Sequence, residues 1–376
     1  MYFEQKLNNF LLSYTQVKLT CFSLLFIFIF GCPDFSGILN LTSPINYSAY
    51  KTTQKQIDQP LSKEVFKKFS PHSHEAKQAF RPFPVLMAKV FNVNSKKMFL
   101  IQYLFGILMI ALSVKWLMNT TNNALVSFYL IISISAIYAG KIAFINTGAG
   151  VYDGIAICIA LIVFIFKSRL INILGFICAG LTDERAFFAC FSIAIYYVYE
   201  YNTHKKFKPL ALNLLSILIG SLIYLFIRLM IQKIVAPPSL SINDSFAVYS
   251  WYFVNHISTE WQKAIQALEG LWLIIFVSIL KLNNYLIKSM YIILIAIITT
   301  VAFAVIDIDR SLAYLLPLVY FSIEILKKTN SLNKRNCFYL MIICLIIPSD
   351  SFWKTDFVYG HSQFFLFELI EIINNI

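Results

Sequence analysis

The chain has 376 residues, of which 59% are hydrophobic and only 13% are charged, and its mean hydropathy is +0.70. Soluble domains carry about 25% charged residues, so this composition excludes an ordinary soluble domain and favours a protein that crosses a membrane many times. The net charge of +12 does not indicate a nucleic-acid partner, because excess Lys and Arg in a membrane protein marks cytoplasmic loops and contacts with anionic headgroups.

Continuous apolar segments follow one another along the chain. Apolar and polar residues do not alternate in these segments, as they would in membrane strands. This pattern predicts helices, whose backbone hydrogen bonds are all made within the segment. A full span needs about 20 apolar residues, so we expect the short fourth, fifth and last segments to be tilted or packed inside a bundle. The eleven segments lie at 19–33, 98–117, 124–146, 153–166, 170–182, 186–201, 209–235, 264–281, 288–306, 311–326 and 337–348.

These segments predict an all-α fold, a polytopic helical membrane protein with about 11 transmembrane helices in one integral membrane domain over 1–376. The first segment, LTCFSLLFIFIFGC, follows Lys18 and has the length of a signal-peptide core. No small-residue cleavage site fits it well. We therefore expect a retained first helix and a cytoplasmic N-terminus.

The distribution of Lys and Arg predicts the orientation. One set of connections holds fourteen basic residues and three acids, whereas the opposite short connections and the C-terminal tail hold four basic residues and eleven acids. Cytoplasmic loops are enriched in Lys and Arg, so the first set is expected inside a bacterial inner (plasma) membrane. The loop 34–97 then faces outward with ten Lys and Arg, but long loops weigh less in this rule.

The large outward loop, 34–97, contains LSKEVFKKF and HSHEAKQAF, two stretches with helical periodicity. Lys residues interleaved with apolar residues predict amphipathic juxtamembrane helices at the membrane surface. In the second stretch His74, Lys77 and Arg81 fall on one stripe, which we interpret as polar surface contact. The HSHE sequence is a weak metal motif, so we expect no cofactor, with a divalent metal at this motif as the alternative.

The sequence LTDERAFFAC, at 181–190, places Asp183, Glu184 and Arg185 between two apolar segments. We name these three residues the first acid–Arg corner. Thr182 is positioned as an N-cap, and acids in a first helical turn are stabilised by the helix dipole. Capping does not explain Arg185, because a cation is unfavourable at a helix N-terminus. An Arg in this place predicts a partner carboxylate or a bound phosphate.

The sequence IDIDRSLAYLLP, at 306–317, repeats the pattern with Asp307, Asp309 and Arg310 ahead of a helix. We name these residues the second acid–Arg corner. Both corners are predicted on the outward face, so we expect them to line the rim of one cavity. In the turn NTGAGVYDG, Asp153 starts the next helix. Helix capping is one interpretation of Asp153, and phosphate binding by the Gly-rich turn is the other. A lone Gly-rich turn is weak evidence for phosphate binding, so capping is favoured.

Three charged residues fall inside apolar segments: Lys141, Arg228 and Glu269. Each lies in the outward half of its predicted helix. A charged side chain within a span costs about 2.5–3.5 kcal/mol on insertion scales, and such residues usually face a bundle interior or a wet cavity. Snorkelling of Lys and Arg to the headgroups is the alternative. Their similar depth favours a shared outward cavity.

This arrangement resembles the GT-C superfamily, the membrane glycosyltransferases that use polyprenyl-phosphate-linked sugars. Those enzymes are helical bundles whose large first outward loop carries juxtamembrane helices. A catalytic acid typically follows their first span, and a second acid often lies in the next outward loop. The resemblance implies that Asp34, in PDFSG, and Asp153 are catalytic, and that Glu75 and Lys77 bind substrate from a juxtamembrane helix.

The function that the resemblance implies is transfer of a sugar from a polyprenyl-phosphate-linked donor to an envelope glycan or lipid acceptor on the extracytoplasmic face. Such transfer needs a carboxylate as general base and cations that stabilise the phosphate leaving group. Membrane lipids, the donor and the acceptor are the expected partners. The residues expected to bind substrate or its phosphate are Lys141, Arg185, Arg228, Arg310, Asp183, Glu184, Asp307 and Asp309, in addition to the two juxtamembrane residues.

Three alternatives remain open. A polysaccharide polymerase of the O-antigen or capsule type would use lipid-linked repeats on the same side of the membrane. A transporter or flippase of a lipid-linked or small anionic substrate would use short, broken helices and intramembrane charges. The third alternative is a non-catalytic assembly partner, because fold resemblance does not imply function.

Overall fold

The structure, a computed structural model, describes residues 13–30, 48–67, 69, 74–145, 152–235, 242–305 and 307–346. Within these ranges the side chains of 30, 48–50, 74–75, 145 and 242–247 are not described. The described residues form α-helices, two short 3₁₀ helices and connections, with no β-strand among them.

The described α-helices of the first half of the chain come first. They are α1 (Tyr14–Phe30), α2 (Ser48–Asp58), α3 (Lys63–Phe66), α4 (His74–Gln78), α5 (Pro82–Val90), α6 (Met98–Thr121), α7 (Ala124–Ala136), α8 (Tyr138–Ile145), α9 (Asp153–Phe166) and α10 (Arg169–Gly180).

The described α-helices of the second half continue the numbering. They are α11 (Glu184–Cys190), α12 (Ser192–His204), α13 (Phe207–Ile234), α14 (Ile242–Thr259), α15 (Trp261–Leu268), α16 (Leu271–Lys281), α17 (Tyr285–Phe303), α18 (Ile308–Leu312), α19 (Leu316–Lys328) and α20 (Lys334–Ile346).

Several of these helices could cross a membrane. Within the described ranges, α6, α13 and α17 are each long and apolar enough to do so. Two bent pairs pass the same test when each pair is taken together: α7 with α8, bent by 64°, and α15 with α16, bent by 85°. The result is three to five candidate spans, consistent with an integral membrane protein. The expected number of about eleven is not confirmed, and α1, α9 and α10 are apolar helices of only 10–17 residues.

Helices α9 and α19 form the centre of the bundle. Phe164 of α9 and Tyr320 and Phe321 of α19 are fully buried, and Trp116 of α6 packs on the first two of these rings. Helix α13, by contrast, exposes a series of large apolar side chains along its length. A helix that is apolar all round lies either in a protein interior or in lipid. The short helix α9 is therefore an interior element, as its length predicted, and α13, a candidate span, has the exposed apolar surface expected of a helix in lipid.

Polar connections gather at the two ends of this bundle. At one end the Lys167 ammonium donates to Glu324 at 3.0 Å, and Lys328 donates to Glu200 at 2.7 Å. These residues belong to three connections predicted to be cytoplasmic. Helix α9 runs from this end to Asp153 at the other, a distance of about 21 Å for its 14 residues. The grouping of the connections follows the charge pattern, and the assignment of this end to the cytoplasm stays a prediction.

The described part of the loop at 34–97, which is predicted to face outward, packs on the protein more closely than its sequence indicates. The two stretches predicted as surface helices form only α3, of four residues, and α4, of five. Phe66 and Ala79 of these stretches are fully buried, and the Gln56 amide of α2 donates to the Gln78 carbonyl at 2.9 Å. Amphipathic periodicity therefore marks a face that contacts protein here, and the position of both stretches at the membrane surface stays a prediction.

Candidate functional site

Asp153, the first residue of α9, lies at the centre of an ionic cluster. Its side chain is fully buried. One carboxylate oxygen accepts hydrogen bonds from Arg185 at 3.1 Å and from the Tyr314 hydroxyl at 2.6 Å. The other accepts a hydrogen bond from the Arg310 Nε. A buried carboxylate is stable only when cations and donors surround it in this way. The N-cap of α9 is Tyr152, without a side-chain capping bond, so the prediction of Asp153 as a helix cap is wrong.

The two acid–Arg corners meet at this carboxylate. Arg185 of the first corner donates to the hydroxyl of Ser311, which follows Arg310 in the second corner, at 2.8 Å. Arg310 also donates to Asp307 at 2.6 Å. The structure thus brings together the two segments that were expected to line one cavity.

Within the first corner the cap is Asp183 rather than Thr182. The Asp183 carboxylate accepts from the Arg185 backbone N–H at 2.9 Å and from the guanidinium of the same residue at 2.7 Å, through both of its oxygens. The Thr182 hydroxyl instead donates to the Cys178 carbonyl at 2.6 Å, at the end of α10. The predicted cap at Thr182 is wrong, because that hydroxyl satisfies the preceding helix.

Arg81 joins the loop at 34–97, predicted to face outward, to this cluster, a contact that the sequence does not predict. Its guanidinium lies 3.0 Å from the Asp183 carboxylate and 3.2 Å from that of Glu184. The backbone N–H of Phe83 donates to the Leu181 carbonyl at 3.2 Å, which pins the loop beside the corner. The stripe that Arg81 shares with Lys77 is the signal for this contact in the sequence, and its interpretation as polar surface contact is wrong for Arg81, which is buried against the two carboxylates.

Glu184 and Arg228 form the partly exposed rim of the cluster. Their side chains are 31% and 33% exposed, and their charged atoms lie 3.3 Å apart. Arg228, on the candidate span α13, also donates to the Tyr224 hydroxyl at 3.1 Å and lies over the Phe80 ring at 4.6 Å. This rim therefore places an arginine between a buried ionic network and an apolar surface. Together with Arg81, the two rim residues and both corners around Asp153 make up what we name the arginine–carboxylate cluster.

Lys77 of α4 faces the same rim. The ion pairs found among the described residues do not include it. Burial, and then the charge of Arg81, lower the pKa of the Lys77 ammonium, against the weaker opposite effects of Glu184 and Asp307. A cation that is disfavoured by its surroundings in this way would be stabilised by an added anion.

The acids of the first corner are ionised. Burial alone would raise the pKa of Asp183, but the charges of Arg185 and Arg81 outweigh it and hold that pKa well below its ordinary value. The pKa of Glu184 is lowered for a similar reason: burial opposes ionisation and the charge of Arg81 overcomes it. The corner is therefore a fixed array of charges, and its carboxylates are occupied by arginines.

Some predicted residues lie elsewhere. Lys141 and Glu269 face each other between α8 and the break that separates α15 from α16, and make none of the cluster's ion pairs. Asp309, by contrast, belongs to the second corner and is buried beside Arg310 within the cluster. Asp34 and the side chain of Glu75 lie outside the described residues, so their predicted roles stay predictions.

Comparison with known proteins adds no family to these observations: no protein-family model, no curated protein and no solved structure matches the chain. Within the described ranges, no group of three or more His, Cys, Asp or Glu side chains is arranged to hold a metal ion. The arrangement itself is suited to binding an anion at the rim, where two cations meet an apolar surface.

Proposed function

We propose that this protein is a membrane glycosyltransferase that takes a sugar from a polyprenyl-phosphate-linked donor on the extracytoplasmic face. The observation that carries the proposal is the rim of the arginine–carboxylate cluster. Arg228 and Lys77 lie there as basic residues with partial access to solvent, and Leu225, Phe226 and Leu229 of α13 expose apolar side chains beside Arg228. A lipid phosphate would place its headgroup on these cations and its tail along α13.

The chemistry of transfer assigns different roles to the charges. The bond between the anomeric carbon and the phosphate oxygen breaks, and Arg228 and Lys77 stabilise the charge that develops on the leaving phosphate. A carboxylate accepts the proton of the acceptor hydroxyl as the new glycosidic bond forms. We assign this base to Asp34, following the resemblance. We assign Asp153 to positioning, because both of its oxygens are occupied by arginines and a tyrosine.

Binding of the lipid phosphate alone tests the proposed rim. The purified protein in lipid nanodiscs would be titrated with polyprenyl phosphate and with the uncharged polyprenol, and the bound lipid would be measured by native mass spectrometry. Loss of one charged hydrogen bond costs about 1.5–3 kcal/mol, which is about tenfold or more in affinity. We expect R228A and K77A each to weaken binding of the phosphate by at least that factor.

The matched control is K233A, which removes an exposed cation from the same helix α13. This control should bind polyprenyl phosphate as the wild type does. Equal binding of polyprenol and polyprenyl phosphate, or unchanged binding by R228A and K77A, would show that the rim is not a phosphate site. Transfer of labelled sugar from the lipid-linked donor, abolished in D34N, then tests the enzymatic step itself.

One observation favours transport as a second candidate. The two bent helix pairs contact each other through α8 and α15, and each pair contributes a charged residue, Lys141 and Glu269, to that contact. Broken helices that meet around charged groups are typical of transporter binding sites. Flux of a lipid-linked or small anionic substrate in proteoliposomes, in the absence of any sugar transfer, would decide for transport.

A further inference from the structure

Glu269 occupies an unusual place, the break between α15 and α16. The two helices are bent by 85° at this point. Glu269 has a backbone φ of +47°, in the left-handed region that only glycine adopts readily. Residues held in such conformations persist only where the surrounding structure requires them, and they concentrate at functional sites.

The carboxylate of Glu269 has no hydrogen-bond partner in the described structure. The residue is 3% exposed, and neither side-chain oxygen accepts a hydrogen bond from a described residue. The backbone N–H groups that begin α16, those of Gly270 and Leu271, are directed at the Cys344 thiol instead. A Cβ on Gly270 would lie 3.0 Å from that sulfur, so α20 closes the break tightly. Both carboxylate oxygens of Asp153, which is also buried, accept hydrogen bonds. Those of Glu269 accept none from the described residues.

Few charged groups face Glu269 from the elements packed around it. Helix α8 contributes Lys141. Among the described residues, it is the charged side chain that acts electrostatically on the Glu269 carboxylate. Helix α20 contributes the Cys344 thiol. Helix α18 also packs on α15, but its Arg310 is engaged by the arginine–carboxylate cluster. His256 of α14 is directed at the Phe303 carbonyl, at 3.1 Å.

We propose that Glu269 is a proton-binding site at the break of this bent pair, occupied by a proton in the conformation described here. An ionised carboxylate without hydrogen bonds in an apolar interior is strongly disfavoured relative to the neutral acid. A divalent cation would need several further ligand groups, and no such group of side chains is present among the described residues. Lys141 already supplies one positive charge nearby, which disfavours a second cation. A proton is the ligand that one carboxylate holds alone.

Release of this proton has a defined consequence. The O–H bond of the carboxylic acid breaks, the proton passes to water, and the carboxylate left behind needs a cation or water. The cation whose charge acts on Glu269 is Lys141, on the second half of the other bent pair. Ionisation of Glu269 therefore draws the two bent pairs together or admits water to the break. This inference does not rest on the transferase proposed above, since it concerns a separate place in the bundle.

Labelling with dicyclohexylcarbodiimide tests for the bound proton. This apolar reagent takes up the carboxylic-acid proton on its nitrogen while the carboxyl oxygen adds to its central carbon, and the adduct rearranges to a stable N-acylurea. The full-length protein in nanodiscs would be labelled over a series of pH values and mapped by peptide mass spectrometry. We expect modification of Glu269 at neutral pH that declines as the pH rises. Glu324, which is ion-paired with Lys167 and Lys328, is the control carboxylate and should stay unmodified.

Two variants separate protonation from mere access of the reagent. In K141M the modification of Glu269 should persist to higher pH, because the cation that favours ionisation is gone. At neutral pH the wild-type infrared spectrum should contain the carbonyl band of a protonated carboxylic acid, and the E269Q spectrum should lack that band. The proposal is overturned if E269Q removes no such band, whatever the labelling shows. It is also overturned if labelling of Glu269 does not change with pH.

Discussion

At the level of single residues, the position of an acid in the sequence does not reveal the hydrogen-bond and ion-pair partners of its carboxylate. Asp153 was expected to be catalytic by resemblance or a helix cap by its position, and its carboxylate instead joins Arg185, Arg310 and Tyr314. Removing one partner of a buried ion pair is strongly destabilising because it leaves an uncompensated charge. This distinction makes the role of Asp153 measurable.

We expect D153N to destabilise the protein by about 3–5 kcal/mol, because two buried guanidinium groups lose their shared counter-charge. Thermal unfolding in detergent, followed by size-exclusion chromatography, measures the loss. D307N is the control, since Asp307 is 21% exposed and its ion pair among the described residues is with Arg310, and its unfolding temperature should fall less. A D153N protein that is as stable as the wild type but inactive would instead support the catalytic role.

The first corner predicts a dependence of stability on pH. Arg185 and Arg81 overcome the effect of burial and lower the pKa of folded Asp183 below its unfolded value of about 3.9. Ionised Asp183 therefore stabilises the fold above about pH 4, and this contribution is lost as the pH falls through the folded-state pKa. Between about pH 6 and about pH 3 the unfolding temperature should fall more for the wild type than for D183N. An equal fall in both proteins would contradict this assignment.

At the scale of elements, the apolar segments correspond to helices, but two of them are broken. The segment predicted at 124–146 bends after α7, where a Cβ on Gly140 would meet the Ile134 carbonyl oxygen at 1.8 Å. The segment predicted at 264–281 bends at Glu269 and Gly270. Hydropathy does not report such breaks, because the side chains remain apolar on both sides of the bend.

Helix α13 packs on α10 through a glycine, and this contact carries a second stability prediction. A Cβ on Gly220 would lie 2.9 Å from the carbonyl oxygen and 3.0 Å from the Cα of Ile173, both backbone atoms that move only with their helix. Small residues allow such close approach between membrane helices. We expect G220A to destabilise the protein by about 1–3 kcal/mol through overpacking, measured as thermal unfolding in detergent.

The control for this contact is L218A on the same helix, at a side chain that is 53% exposed. That substitution removes apolar surface from the face of α13 that contacts lipid or detergent, so it should change the unfolding temperature little. If G220A were as stable as L218A, the close approach of α10 and α13 would not be as the structure has it.

At the scale of the whole molecule, the bundle has one end rich in Lys–Glu pairs and another built on arginines and carboxylates. Reporter fusions after Lys205 and Lys334, both at the first end, should give a cytoplasmic signal. A fusion after Glu260 should report the opposite side. The physical reason is the bias of Lys and Arg to cytoplasmic connections. A periplasmic signal at Lys205 and Lys334 would invert the orientation and move the proposed phosphate site to the cytoplasmic face.

Hydropathy and charge along the chain predict an all-helical fold with candidate membrane spans, the positions of most helices and the two acid–Arg corners. Hydropathy and charge are local properties, so they can be read without knowing which residues meet. Three contacts emerge from the folded structure alone: Arg81 joins the corners, Asp153 is buried between two arginines, and the Glu269 carboxylate lies at a break without a hydrogen bond from a described residue. The ion pairs of Asp153 join residues 32 and 157 positions apart in the chain, and packing alone brings such residues together.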